Sequence, residues 1–261
     1  MAKKRILISN DDGIQARGIQ ALTAALAEVA EVYVCAPHRQ RSAAGHGITI
    51  REGIRAEEAE VWGAKAAYAI TGTPVDCVKL GLFLLRNRGI EVDMVFSGIN
   101  HGSNLGTDTI YSGTVSAALE GNLKGYPAVA VSVMADEPVH FEAACGLAAF
   151  FAKEGAPRIG KETTLNINVP DLASENIRGV RLAPLGRQFY EEEYVPRKGT
   201  DGKTLYFYHG DELPPAEDEQ GTDVRFGSEG YATITPIHAD LTFEADRENL
   251  KKVVKLLTFF R

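Results

Sequence analysis

The sequence predicts an α/β fold, a Rossmann-like three-layer sandwich with a mostly parallel sheet, followed by a protruding C-terminal β-hairpin arm and a terminal helix. Three observations predict it. Short apolar runs that suit buried strands alternate with stretches of helical period. The first two of those strands flank a single helix, and such a crossover makes a parallel pair with a right-handed connection. The 261 residues are enough for one large α/β domain, a size at which roughly 70–75% of the unfolded surface is buried.

In chain order, Arg5 to Ser9 reads as the first strand. Ile19, Leu22, Leu26 and Val29 then give a helical stripe, and Val32 to Ala36 a second strand closed by Pro37. Ile48 to Ile50 and the segment around Val61 look like β excursions, and Tyr68 to Ile70 leads into a helix running to about Arg86. Thr73 is its natural N-cap, Pro74 suits the first helical position, and Asp76 favours the positive end of the dipole. Asp93 to Ser97 is the next strand, followed by a loop rich in Gly and Asn from Gly98 to Gly113 and a helix of small residues from near Thr114. Pro127 to Val133 is another buried strand, and 141–153 is helical. From Arg187 to Asp211, aromatic and charged residues alternate around Gly199-Thr200-Asp201-Gly202, which signals a long hairpin. Gly230 to Thr235 alternates as a strand, and Leu250, Val253, Val254 and Leu257 give a last amphipathic helix. The expected division is an α/β core over 1–185 that carries the site, an extended arm over 186–230, and a strand and helix over 231–261.

Composition narrows the class. With 28 Lys plus Arg against 35 Asp plus Glu, the formal net charge is −7, which argues against a protein that coats duplex nucleic acid by neutralising phosphates. Six acidic residues between Asp211 and Asp223, with no basic one among them, suggest a solvated outer arm. The three cysteines, Cys35, Cys77 and Cys145, are odd in number and set among apolar residues. They suggest free buried thiols in a reducing compartment. The apolar run after the basic start is too short for a signal peptide, and none approaches the ~20 residues of a membrane span. The expected location is therefore the cytoplasm.

Open α/β sheets bind ligands at the carboxyl ends of their strands, and three loops there are polar together. They are Ser9-Asn10-Asp11-Asp12-Gly13, Pro37-His38-Arg39-Gln40-Arg41-Ser42 and Ser97-Gly98-Ile99-Asn100. Two carboxylates ~5 Å apart repel by about 3 kcal/mol at an effective dielectric near 20, so a positive partner is expected. Carboxylate, hydroxyl and amide oxygens suit a hard cation such as Mg²⁺ or Mn²⁺ better than zinc. A plain turn is the blander reading of Asp11-Asp12-Gly13. In Asn100 to Gly106 and Ser112-Gly113-Thr114, glycines permit close approach and a helix begins, which reads as a phosphate cradle; helix capping by Ser112 is the competing account. The Gly-Lys-Ser/Thr phosphate loop and the Gly-x-Gly-x-x-Gly turn are both missing, which disfavours an ATPase or a dehydrogenase. His38, His46, His101 and His238 are candidate acid–base groups. Arg39 and Arg41 could touch phosphate or simply form ion pairs.

With these loops together, the sequence closely resembles the survival protein E (SurE) family of metal-dependent nucleotidases. The blocks that carry the resemblance run in order: Ile6 to Gly13, Ala36 to Ser42, Gly72 to Asp76, Ser97 to Asn100, Asn104 to Gly106 and Tyr111 to Thr114, continued by Gly230 to Pro236. The resemblance implies Asp11, Asp12, Ser42 and Asn100 as metal ligands, with Asn104, Ser112, Gly113 and Thr114 at the phosphate. It implies hydrolysis of nucleoside 5′- and 3′-monophosphates, with short polyphosphate a further substrate. It also implies a homodimer or homotetramer built through the hairpin, near Phe189 to Tyr208, and a swapped C-terminal segment. Arg17, where many relatives carry Pro, and Gly45-His46-Gly47 depart from the pattern and bear on substrate preference. Metal-activated water with Asp11 and Asp12 in the catalytic role is the favoured chemistry. A covalent aspartyl-phosphate and a nucleotide or metal sensor without turnover are the alternatives.

Overall fold

The computed structural model describes residues 3–155, 159–160 and 162–254. Met1 and Ala2 of the basic start, Leu257 of the expected last helix and the end of the 231–261 segment lie outside them. Among the described residues, nine strands form one sheet: β1 (Lys4–Ser9), β2 (Ala30–Pro37), β3 (Ala56–Ala59), β4 (Ala64–Ile70), β5 (Met94–His101), β6 (Ala128–Val133), β7 (Thr164–Val169), β8 (Val180–Leu182) and β11 (Ala232–Ile237). Their order is β3-β4-β2-β1-β5-β6-β7-β11-β8. Only the β3–β4 and β7–β11 pairings are antiparallel. The remaining strands, β9 (Tyr190–Lys198) and β10 (Thr204–Glu212), make a separate antiparallel hairpin. The expected α/β class, mostly parallel sheet, hairpin and C-terminal helix are all present.

Alternation along the strands makes the three layers. On β1, Ile6 and Ile8 face one side and Leu7 the other, all fully buried. The first side is covered by Ile19, Leu22 and Leu26 of α1 (Arg17–Ala27) with Ala144 and Ala148 of α4 (Glu142–Phe150). The second is covered by Val78, Leu82 and Leu85 of α2 (Pro74–Asn87) with Val115, Ala117 and Ala118 of α3 (Gly113–Leu123). Each fully buried Leu or Ile contributes about 2 kcal/mol of transfer free energy. The helix α2 starts as its sequence predicts: Thr73 and Asp76 form a reciprocal capping box and Pro74 occupies the first turn. Two further helices among the described residues are α5 (Asp223–Ser228) and α6 (Glu244–Val254).

Several expectations are corrected. Ile48 to Ile50 is not a strand, because β3 takes the sheet edge beside β4 instead; its Glu57 and Glu58 are exposed, as suits an edge. The segment around Val61 is β on both sides, as expected, with Val61 itself between β3 and β4; α1 ends before Val29. The acidic stretch is not uniformly solvated: Glu219 and Asp223 are buried. Asp223 accepts the N–H groups of Gly106, Gly186 and Val224, and Glu219 accepts those of Arg187. All three cysteines are free; Cys35 and Cys77 are buried and Cys145 is half-buried. Burial pushes the Cys35 thiol up to about 12 and that of Cys145 to about 11. No described helix is long and apolar enough to cross a membrane.

The strand β5 runs past its predicted end. Ser97 pairs with Ala130 and Asn100 with Ser132, so β5 has three steps where β6 has two. This bulge re-aims the residues after it. Gly98, at φ 131°, permits it, since a Cβ there would lie 2.2 Å from the Val131 carbonyl oxygen. Gly18 on α1 packs on the same bulge, where a Cβ would sit 1.9 Å from the Ile99 oxygen. Gly-to-Ala in a helix ordinarily gains about 1 kcal/mol. Here the close approach reverses the sign, and Gly18→Ala is predicted to lose at least about 2 kcal/mol in a urea titration.

Candidate functional site

The chain leaves β1 for β2 on one side and later returns through α2 to β5 on the other, so the order reverses between β1 and β5. Ser9 and Ser97 are register partners at that reversal. Loops diverge from such a point and leave a crevice at the carboxyl ends of the strands. Asp11 and Asp12 enter it from β1, and Asn100 from β5.

Asp11 is 6% exposed. The Thr114 hydroxyl donates to its Oδ1 in a short hydrogen bond and lies 3.4 Å from Asn100 Oδ1. The Arg41 N–H donates to the Asp11 carbonyl at 2.7 Å, which brings the loop carrying Ser42 to the same turn. Asp12 Oδ2 accepts the His101 N–H at 3.0 Å, and its Oδ1 accepts Gln40 Nε2 at 3.4 Å. Burial raises Asp11 to about 6, against the opposing hydrogen bond from Thr114, with the Asp12 charge adding to the rise. Burial also raises Asp12, opposed by the His101 N–H. Two desolvated carboxylates thus stand side by side with no lysine or arginine within ion-pair distance among the described residues. The nearby Ser9 Oγ, Asn10 Oδ1 and Ser97 Oγ are buried without a hydrogen-bond partner among the described residues.

The second half of the constellation surrounds the entry of α3. Ser112 is its N-cap, accepting the Val115 N–H at 3.0 Å, so the capping account of Ser112 is correct. The N–H groups of Gly113 and Thr114 precede the first intrahelical bond, from Ser116 to Ser112. Gly113 is required there, because a Cβ would lie 2.8 Å from that of Asp11. Asn104 is buried and fixed on every side. Its N–H donates to Asn168 Oδ1 at 2.7 Å, its Nδ2 to Ser132 Oγ at 2.8 Å, and its carbonyl accepts from Asn166 and Asn168. One Nδ2 hydrogen remains.

The structure therefore brings Asp11, Asn100 and Thr114 into direct contact and places Asp12, Gly113 and the Ser42 loop around them. Ser42 itself is exposed and its hydroxyl makes no hydrogen bond within the described residues. The histidines are otherwise engaged. His38 Nδ1 lies 3.1 Å from the Ile70 carbonyl, His46 is against Glu120, and His101 Nε2 accepts the Gly18 N–H at 3.3 Å. His238 follows β11, whose end pairs with the start of β7, and so lies at the opposite edge of the sheet. Arg41 donates to the Thr71 carbonyl, and neither Arg39 nor Arg41 makes an ion pair with a described residue. Sequence reasoning missed Gln40, Ser132, Asn166 and Asn168. Asn166 and Asn168 were visible as two amides at alternating positions of an otherwise apolar strand.

Fold and crevice together define a doubly wound α/β protein with an acidic pocket at its switch point, set against a helix N-terminus. The family model described as Survival protein SurE matches residues 6–192, and the chain belongs to that family. A protein of Syntrophomonas wolfei named 5′-nucleotidase SurE is 46% identical over 246 residues, covering 91% of this chain and 90% of that one. Its namesake in Pelotomaculum thermopropionicum is 45% identical over 252 residues, covering 96% and 95%. The crystal structure of the SurE protein from Aquifex aeolicus superposes with a TM-score of 0.81 at 35% identity, covering 96% of this chain and 99% of that one.

The raised Asp11 carboxyl makes a prediction about stability. Its folded value near 6 exceeds the ordinary 3.8, so the stability it contributes is complete below about pH 4 and lost as pH rises through 6. In EDTA at pH 8, Asp11→Asn should be more stable than the parent protein by up to about 3 kcal/mol, and melt at a higher temperature. Below pH 4 the two melting points should converge.

Proposed function

We propose that this chain is a divalent-metal-dependent phosphoric monoester hydrolase, a 5′-nucleotidase that also takes 3′-monophosphates and short polyphosphate. The observation that carries this reading is the pair of buried Asp11 and half-buried Asp12 beside the amino end of α3, in a chain whose relatives are named 5′-nucleotidases.

The residues fit a metal. Two desolvated carboxylates without a basic partner, a hydroxyl and an amide oxygen are the donors a hard cation takes. Asp11, Asp12, Ser42 and Asn100 would hold it, with Mg²⁺ or Mn²⁺ as the ion. When bound, a cation there supplies Lewis-acid charge at a phosphate oxygen and lowers the pKa of water.

The remaining work falls to the chain. Thr114, donating to Asp11, fixes the carboxylate in one orientation. The Gly113 and Thr114 N–H groups at the head of α3 bind a phosphate oxygen and stabilise charge that shifts in the transition state. Asn104, held by Ser132, Asn166 and Asn168, offers its remaining N–H to the same group without reorganising. Ser112 contributes through the cap that sets this turn. The exposed aromatic hairpin, with Tyr194, Tyr206 and Tyr208, and the apolar side of α6 are the surfaces we assign to a homodimer or homotetramer. A cytoplasmic location agrees with the free thiols.

The test is phosphate release from AMP, GMP, 3′-AMP and a chromogenic ester, with Mn²⁺, with Mg²⁺ and with EDTA. Turnover should require metal, and Asp11→Asn and Asp12→Asn should each lower it by about 100-fold or more while the proteins stay folded. Undiminished turnover in both variants would overturn the assignment.

A further inference from the structure

The segment from His38 to Arg55 crosses the site side of the sheet without forming a helix or strand, yet hydrogen bonds pin it at several places, from His38 on Ile70 to Arg55 on Thr71, and two of these flank Ser42. The near anchor is Arg41, whose N–H bonds the Asp11 carbonyl and whose guanidinium bonds the Thr71 carbonyl. The far anchor spans 45–49. The Gly45 N–H donates to the Tyr111 carbonyl at 3.0 Å, and Thr73 Oγ1 donates to the Gly47 carbonyl at 2.7 Å. The N–H and hydroxyl of Thr49 donate to Asp76.

One contact in this far anchor belongs neither to the backbone nor to the α2 cap. His46 Nε2 lies 3.1 Å from Glu120 Oε2. Glu120 is on α3, the helix whose Thr114 holds Asp11, and its side chain is only 6% exposed. Its two oxygens are divided. Lys79 at 3.1 Å and Lys124 at 3.3 Å both take Oε1, which leaves Oε2 directed at His46. Burial alone would raise the Glu120 carboxyl, but the hydrogen bonds from His46 and Lys79 and the lysine charges outweigh it and hold it below its ordinary value.

Between the anchors lie Ser42, Ala43 and Ala44. Ser42 makes no side-chain hydrogen bond with a described residue. Ala43 sits at φ 53°, in the left-handed region, which costs a residue with a Cβ roughly 1–2 kcal/mol. Such a conformation persists only where the flanking chain imposes it. The span is therefore sprung, and its geometry is set from its two ends.

We propose that Glu120 and His46 are positioning residues: the pair fixes the far end of the 42–44 span and thereby presents Ser42 to the cation that it shares with Asp11, Asp12 and Asn100. The inference rests on the metal reading above and adds a role for the Gly45-His46-Gly47 turn. The pair acts through the backbone of the span and is not itself assigned as a ligand.

The experiment measures Mn²⁺ affinity from the free-ion EPR signal for the full-length parent, His46→Ala, His46→Gln and Asp11→Asn, alongside hydrogen exchange of residues 42–49 and thermal melts. Gln retains an N–H donor at the reach of Nε2. His46→Ala should bind Mn²⁺ about tenfold more weakly, the scale for a group that orients a ligand. Its 42–49 amides should exchange faster and its melting point should stay close to the parent's. His46→Gln should recover most of the affinity. Parent-like binding by His46→Ala together with weak binding by Asp11→Asn would sink the proposal and leave the metal site standing. Equal losses in His46→Ala and His46→Gln, or losses that follow the melting point, would overturn it as well. If Asp11→Asn binds Mn²⁺ like the parent, the metal reading fails and this inference fails with it.

Discussion

The bond between Thr114 and Asp11 is the constraint around which the structure is organised. It joins the turn after β1 to the first turn of α3, two segments about a hundred residues apart, across the place where the sheet reverses its order. A carboxylate with almost no access to water keeps its charge only where donors face it. The hydroxyl and the amino end of α3 are the donors available. Everything that brings α3 close therefore serves the acid: the missing Cβ of Gly113, the Ser112 cap, and the packing of Val115, Ala117 and Ala118 on the sheet.

The bulge in β5 answers the same demand from the other side. A regular strand would have carried Asn100 one step out of phase, toward the opposite face of the sheet. The extra step turns it so that its Oδ1 meets Thr114 while its Nδ2 donates to the Gly102 carbonyl. Gly18 lets α1 lie against the bulge, and its N–H meets the His101 ring. The backbone of His101 then holds Asp12. A single irregularity thus serves both carboxylates.

Much of this was legible in the residues. The strands β1, β2 and β6 and the start of β5 are apolar runs, and the Thr73/Asp76 cap is written in the chain. The polar loops at the strand ends named Asp11, Asp12, Asn100 and Thr114 because sheet geometry gathers such loops. The bulge was not legible, since Gly98-Ile99 inside a loop rich in glycine carries no mark of strand pairing. Ile48-Thr49-Ile50 has a strand's alternation and yet serves as a strap, because the edge it would join is taken by β3. Glu219 and Asp223 looked like surface acids, and only the fold shows that they collect backbone N–H groups from distant loops. Burial of polar groups is decided by tertiary pairing, which local pattern does not carry.

The position of β1 in the middle of the sheet also bears on how the protein comes into being. Its partner β5 follows only after β2, β3, β4 and α2; the Arg5 N–H that bonds Asp93 must wait for a residue 88 positions further on. Contacts of that span require a large loop to close before they return any stability. Until they form, water solvates Asp11 and Asp12 and weakens their mutual repulsion. The electrostatic strain of the pocket is thus absent from early folding and enters only when β5 and α3 dock. A growing polypeptide can shape its first βαβ unit without meeting the cost of burying its paired carboxylates.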